Sequence, residues 1–557
     1  MGARVSERTR WWLLAGGWVL LLVLGMGGFM QQADELDLDL NVFDHLYFTL
    51  QLAALDYEGA STNINWRLQI ARFAAPLMAT STLIQGASVV FRDQFARWRA
   101  RRASGHTLVC GLGPVGTRLA TALVNDGRTV VAVAEPGNTG GEAGLREMGV
   151  PVVVGDPTDP ALLNAVRAGR AARVVAATDS DATNVSIAAA VRDVPRPANR
   201  PPLRCAVRLL DGELAHLLRA TELGGGGGVR LEFFNVQERA AHALLGEHEM
   251  GSHLVVMGVG QLGGDLVVTA AQRWRERGEG PLAITLIDRY AHGRLHALTM
   301  RHPALHTALD AHCIELDFGA PSEQAVAEFD RVLVERPPTL VVAAFDDETL
   351  AWSSALFVRR RAARPVDVVV RTNSAGGFGA HLEEAVGAGV VHGRIVAFPF
   401  LDRACTTELI EGGVREQLAR ALHDDHLART GTGAGLHQAW EALSDAERES
   451  SRAAADAVVA RVDSIGARLV PLAHWDLDAQ VFTADELEQL ARAEHERWKA
   501  EREAAGWRWA EVRDDAAKLN PLLVEWDALG DADREYNRAA AQALPALLAR
   551  AGFDVTR

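Results

Sequence analysis

A short apolar run that passes at once into a glycine-rich turn occurs twice in this chain, and no other feature restricts the fold as much. Thr107–Cys110 leads into Gly111-Leu112-Gly113-Pro114-Val115-Gly116, and His253–Met257 leads into Gly258-Val259-Gly260-Gln261-Leu262-Gly263. Each turn opens a helical pattern and then a second apolar run, Val130–Val133 or Ile284–Ile287, that closes on a carboxylate, Glu135 or Asp288. Glu135 stands 24 residues beyond Gly111. Glycines at these places let a strand turn tightly into a helix and let backbone amides approach a pyrophosphate, while the carboxylate suits a ribose hydroxyl. The pattern predicts two α/β units with parallel sheets. Gly111, Gly113, Gly116 and Glu135 are the candidate nucleotide residues of the first, and Gly258, Gly260, Gly263 and Asp288 those of the second.

Further motifs follow in order. Val152-Val153-Val154 ends in Gly155-Asp156, and Val174–Ala177 leads into Thr178-Asp179-Ser180-Asp181-Ala182-Thr183-Asn184. Over about residues 104–235 this resembles the TrkA-N or RCK domain (regulator of potassium conductance), a Rossmann-like unit whose third strand ends in Gly-Asp and whose fourth leads into T-x-x-D-x-x-N. The resemblance implies that Asp156 and Asp179 join the site, that NAD(H) or an adenine nucleotide is the ligand, and that the units assemble as a ring pulling on the inner helices of a channel. In the second copy Glu315-Leu316-Asp317 and Phe345-Asp346-Asp347 stand in the corresponding places, further from the pattern. Domains are expected at residues 104–249 and 250–429, with Gly224–Gly228 as a surface loop.

Ahead of these units, Trp11–Met30 holds 20 residues without a charge, and a bilayer needs about 20. A signal peptide would need a small-residue cleavage site, and Phe29-Met30-Gln31-Gln32 offers none. A second apolar run, Phe73–Phe91, ends in Arg92, Arg97, Arg99, Arg101 and Arg102, and residues 31–66 between the runs are acidic without Lys or Arg. The positive-inside rule then puts both termini and the soluble domains in the cytoplasm, with residues 1–103 as a two-span segment of the plasma (inner) membrane. Ser81, Gln85 and Ser88 share one helix face, as helix–helix packing or a wet pore would require. Phe43-Asp44-His45-Leu46-Tyr47-Phe48-Thr49 resembles the pore helix of two-span potassium channels, but Leu55-Asp56-Tyr57-Glu58-Gly59 stands where that family has Thr-Val-Gly-Tyr-Gly. A carbonyl-lined filter is therefore not expected. Asp56 and Glu58 would instead form carboxylate rings in a symmetric assembly, favouring cations with modest selectivity.

The C-terminal part begins after Thr430-Gly431-Thr432-Gly433-Ala434-Gly435, a flexible boundary. Trp440-Glu441-Ala442-Leu443 with Arg448 and Arg452 returns as Trp526-Asp527-Ala528-Leu529 with Arg534 and Arg538. Around the later copy, Leu490-Ala491, His495, Trp498, Gly506-Trp507, Arg513, Lys518, Pro521 and Trp526 resemble the RyR domain, the repeat named in ryanodine receptors, over about residues 484–555. A small all-α domain is expected at 436–557, with a partial repeat at 440–470. Its tryptophans admit two readings, a core for a small domain or a cage for a phosphorylated or nucleobase-bearing ligand built from His495, Trp498, Trp507, Arg513, Lys518, Trp526 and Arg534.

Charge and cysteine content narrow the rest. The 557 residues carry 57 basic and 72 acidic side chains, a net charge of −15, which argues against a nucleic-acid partner. Cys110, Cys205, Cys313 and Cys405 lie far apart, so neither a zinc knuckle nor a disulfide framework is expected, and no metal. No Ser/Tyr-x-x-x-Lys or comparable constellation accompanies either glycine turn, and the reading is of a binding protein rather than an enzyme. The expectation is a membrane α-helical segment with two transmembrane helices, then tandem Rossmann-like α/β domains, then a small all-α RyR-like domain. It would be a homo-oligomer, a tetramer by the channel resemblance, gated by a small nucleotide-like ligand. The alternative is a non-conducting membrane-anchored sensor in signalling or defence.

Overall fold

The computed structural model of the protein describes residues 7–57, 64–137, 140–197, 200–219, 228–275, 277–362, 364–373, 393–430, 438–472 and 482–557. Glu58, Gly59, most of the Gly224–Gly228 tract and the 431–435 boundary lie outside the described residues, as does the Ser88 side chain. The chain divides into two compact units, Met1–Trp98 and Arg99–Arg557.

Among its described residues the N-terminal unit packs three helices, and a fourth, Arg92–Ala100, runs on from the last of them. Glu7–Glu35 is the long apolar one, and its glycines sit where neighbours press closest. A Cβ at Gly25 would lie 2.3 Å from the Thr49 methyl, and one at Gly28 would lie 2.7 Å from Leu68. The short helix Val42–Gln51 starts with a capping box, Asn41 accepting from the Asp44 amide and the Asp44 carboxylate from the Asn41 amide. It folds back along the first helix. Phe48 packs on Phe29 with ring centroids 5.6 Å apart, and the Tyr57 hydroxyl donates to Gln32 at 3.2 Å. The third helix, Trp66–Val90, carries Pro76 and starts before the apolar run, so it includes Arg67 and Arg72. Trp18 Nε1 donates to its Thr82 hydroxyl at 3.0 Å. Among the described residues one helix, Trp11–Glu35 with mean hydropathy 2.0, is long and apolar enough to cross a membrane. Large apolar side chains such as Leu13, Leu20, Val23, Leu77 and Leu83 face outward from this unit.

The second unit opens with a six-stranded parallel sheet: β1 (Thr107–Cys110), β2 (Val130–Ala134), β3 (Val152–Val154), β4 (Arg173–Ala176), β5 (Leu203–Arg208) and β6 (Val229–Phe234). The order is β3-β2-β1-β4-β5-β6, so the chain reverses its winding between β1 and β4. Buried on both faces, the strands are near-continuous Val, Ala and Leu. A second parallel sheet repeats the plan with β7 (His253–Met257), β8 (Leu282–Asp288), β9 (Leu309–Glu315), β10 (Leu340–Ala343), β11 (Val368–Thr372) and β12 (Ile395–Pro399), in the order β12-β11-β10-β7-β8-β9. Helices Val236–Glu247 and Gln261–Arg275 pack between the two, and Leu119, Val236, Leu244, Leu266 and Phe400 share one core.

The C-terminal region holds four helices and one antiparallel pair, so it is not purely helical. β13 (Arg468–Pro471) and β14 (Phe553–Thr556) pair from Arg468↔Thr556 to Pro471↔Phe553. The helix Val414–Thr430, assigned from sequence to the second α/β domain, belongs instead to this region. Val414, Leu418 and Ala419 bury into the same core as Trp440, Trp526 and Leu548. With it the repeat is complete. Each half is a helix (Val414–Thr430 or Ala484–Ala504), a 3₁₀ turn at Trp440 or Trp526, a helix (Asp445–Ser464 or Asp531–Arg550) and a strand. In both halves a buried histidine, His423 or His495, meets the tryptophan ring and hydrogen-bonds the carbonyl two residues before it, Gln438 O or Val524 O.

Candidate functional site

The crevice at the carboxyl ends of β1 and β4, where the winding reverses, is where ligands bind in open parallel sheets. Gly111 takes φ +92°, a conformation that glycine alone enters cheaply. Gly116 is required by contact, since a Cβ there would stand 1.9 Å from the Gly111 carbonyl oxygen. Gly113 is the N-cap of Pro114–Asn125, has no side chain to cap it, and packs against Asp179, whose Oδ2 would lie 2.9 Å from an added Cβ. Pro114 at the first helical position removes one amide and leaves those of Val115 and Gly116 facing the crevice end of the helix.

The opposite wall is a polar lock. Asn184 is fully buried, and its Oδ1 accepts from both the amide and the hydroxyl of Thr178 at 2.8 Å. Its Nδ2 donates to Thr178 O and Arg208 O at 3.0 Å. Arg208, 7% exposed, donates to the Thr178 carbonyl and to Asp179 at 2.7 Å, so the Asp179 carboxylate is neutralised and held beside Gly113. Arg208 was not among the residues singled out from sequence; the signal available was its recurrence as Arg371 at the end of β11, paired there with Asp346. Glu135 ends β2, exposed and without a side-chain hydrogen bond among the described residues. Asp156 follows β3. The hydroxyl and amide of Thr158 hold its carboxyl below the usual carboxylate range.

The second crevice keeps the backbone and changes the walls. Gly258 takes φ +84°, and a Cβ at Gly263 would stand 2.0 Å from Gly258 O. Phe345 replaces Thr178, its ring over Gly258, edge-on to Phe318 at 5.7 Å. Ala351 stands where the first copy has Asn184 and is fully buried. Asp288 accepts from the Val259 amide at 2.9 Å and the Tyr290 amide at 3.0 Å, so the acid that would hold a ribose is bound to its own glycine turn. Gly260 lies 4.0 Å, measured from an added Cβ, from Asp346.

The other candidates fall into separate places. Asp56 is exposed just after the short helix, Ser81 is exposed with its hydroxyl donating back to Leu77 O, and Gln85 is half-buried. In the C-terminal region the proposed cage divides. Trp526 is 2% exposed and donates to Glu488 at 2.8 Å, and His495 is 4% exposed; both are core, where a small domain needs bulky side chains. Trp498 packs on His495 with centroids 5.9 Å apart, and Arg502 covers Trp507. Arg513 is paired with Asp515, Arg534 with Asp531, and Lys518 donates to Ala505 O.

Residues 107–222 match the TrkA-N domain and residues 474–557 the RyR domain. The chain therefore carries a TrkA-N unit, in its first sheet, and a RyR domain at its C-terminal end. Among solved structures it is similar to the GsuK bound to ADP, at 16% identity over 73% of this chain and 100% of that one, with a TM-score of 0.37. The GsuK channel bound to NAD gives 15% identity, 72% and 83% coverage and a TM-score of 0.36. Dipicolinate synthase A chain from Bacillus subtilis gives 9%, 56%, 94% and 0.20.

Proposed function

We propose that this chain is a nucleotide-regulated, channel-type membrane protein in which the TrkA-N unit binds NAD(H) or another adenine nucleotide at Gly111–Gly116. The observation that carries the reading is the open first crevice. Its helix start is uncapped by any side chain, Asp179 is paired with Arg208, and Glu135 is exposed just after β2 with no side-chain hydrogen bond among the described residues. The N-terminal unit supports the channel half. Val42–Gln51 turns back so that Thr49 meets Gly25, about 15 Å along the axis from Glu35 at the usual helical rise. A segment that only tethered would have no need to return to that depth.

In this reading Glu7–Glu35 and Trp66–Val90 both cross the inner membrane, with both termini cytoplasmic. Four copies surround a cation path of modest selectivity near Asp56, and no step of catalysis is performed. The non-conducting anchored sensor is the competing arrangement. Protein reconstituted in planar bilayers and titrated with NAD, NADH and ADP distinguishes them. Nucleotide-dependent current is expected, with the midpoint raised roughly tenfold to a hundredfold by Glu135→Ala, the scale of one lost charged hydrogen bond. Calorimetric nucleotide binding with no current under any of the three would leave the anchored sensor. Absence of binding at millimolar nucleotide would overturn the site itself.

A further inference from the structure

A cavity of about 1000 Å³ lies on the β5–β6 side of the first sheet, away from the β1–β4 crevice. Segments distant in sequence wall it: helix Gly212–Arg219, β6 with helix Val236–Glu247, the end of helix Gln261–Arg275, the Gly412–Gly413 entry to helix Val414–Thr430, Leu472, and the last turn of the chain's final helix through Gly552. Five arginines line it, Arg219, Arg239, Arg273, Arg275 and Arg550, against two carboxylates, Glu232 and Glu238.

The carboxylates are already spent. Arg219 grips Glu238 through two hydrogen bonds of 2.8 and 2.5 Å, and Glu232 accepts from Arg204 at 2.6 Å. Burial alone would raise the Glu238 carboxyl, but the Arg219 pair outweighs it and brings it down to about 2. Arg273 donates to a carbonyl, His242 O, which leaves its charge in place. Arg239 and Arg550 make no side-chain hydrogen bond or ion pair among the described residues. Burial, and then Arg219, hold the Arg239 guanidinium below its usual range against the pull of Glu238 and Glu408. Arg239, Arg273 and Arg550 thus bring charge that no carboxylate among the described residues pairs into a concave, partly apolar space, with Phe233, Ile410 and Leu472 on the walls. Guanidinium groups converging in this way suit phosphate, which several can grip at once.

We propose that this cavity binds a phosphorylated small molecule, its phosphates on Arg239, Arg273 and Arg550 and its apolar portion against Phe233, Ile410 and Leu472. Such a ligand would touch the first α/β unit and both halves of the C-terminal repeat together. Its occupancy would therefore couple that repeat to the sheets, a role the separated Trp507–Arg513 group does not offer.

Calorimetry on the full-length protein in detergent tests this with tripolyphosphate, which has no ribose for Glu135, and with ADP. Tripolyphosphate is expected to bind the unaltered protein and Glu135→Ala equally, and to bind the pair Arg239→Gln/Arg550→Gln roughly tenfold or more weakly. ADP is expected to show two classes of site, one weakened in each variant. The Gln substitutions strip no partner from a buried carboxylate, so the fold should persist, and thermal melting checks it. Should the Gln pair melt early, Arg239→Lys/Arg550→Lys carries the test, with weakening of a fewfold from losing the planar fork. No tripolyphosphate binding at millimolar concentration, or affinity unchanged in the folded variants, would overturn the proposal independently of the β1–β4 crevice.

Discussion

The two α/β units reach the same glycine-turn backbone by opposite chemistry behind it. In the first, Thr178 and Asn184 form a buried polar lock, with the Thr178 methyl and backbone against Gly111. In the second, Phe345 and the fully buried Ala351 fill the same places, the ring lies over Gly258, and Asp288 binds the turn's own amide. Both solutions satisfy the fold, because the Gly116 and Gly263 contacts with Gly111 O and Gly258 O are equally tight. Glu135 makes no side-chain hydrogen bond among the described residues, whereas Asp288 is held by its own turn. The scaffold is the same in both copies, and the walls around the turn differ.

The largest expected effect comes from breaking the polar lock. Asn184→Ala strands the buried Thr178 amide and removes one partner each from the Thr178 hydroxyl and the Thr178 and Arg208 carbonyls, which should cost about 3 kcal/mol of stability by chemical denaturation. The double variant Thr178→Phe/Asn184→Ala imports the second unit's solution. It should recover part of that loss while abolishing nucleotide binding, since the ring would then cover the turn. A neutral Asn184→Ala would show that the lock contributes nothing and that the contrast between the units is only one of composition.

A smaller effect separates the two acids. Asp288→Ala removes the acceptor for Val259 and Tyr290 amides, and a loss of about 1–2 kcal/mol is expected with no change in the nucleotide isotherm. Glu135 has no such internal partner, so its removal should change the isotherm and spare the melting curve. Weakened nucleotide binding in Asp288→Ala would mean that the second crevice is occupied after all.

Much of this contrast was legible in the sequence, because the glycines and the T-x-x-D-x-x-N run carry constraints that other residues cannot meet. What stayed hidden depended on packing between distant segments. Arg208 is a single charge at the end of an apolar strand, and only the fold brings it to Asp179. Helix Val414–Thr430 lacks tryptophan, so its kinship with Ala484–Ala504 appears only when His423 and His495 are seen against Trp440 and Trp526. Trp526 itself reads from sequence as core or cage, and its burial beside Glu488 decides for core. The arginine-lined cavity is drawn from segments scattered along the chain and leaves no local pattern.

The smallest expected effect concerns one position on the helices that follow the two turns. Arg118, two residues past Gly116, pairs with Asp402 at 2.6 Å. Asp265 holds the matching place past Gly263, and burial, then the nearby charge of Glu238, push its carboxyl up to about 7 despite Arg219 and Arg301. The unfolded chain ionises this group near its ordinary value of about 3.9. Between those values the folded protein binds the extra proton, so the stability Asp265 contributes is complete below about pH 4 and is lost as pH rises through about 7. A fall of about 1 kcal/mol between about pH 6 and pH 8 is expected. Asp265→Asn should flatten that slope, whereas Arg118→Gln should leave it, because Arg118 pairs with Asp402 and not with Asp265. Parallel stability curves for the unaltered protein and Asp265→Asn would show that water or a partner relieves this carboxyl, and that the two helices differ less than their sequences do.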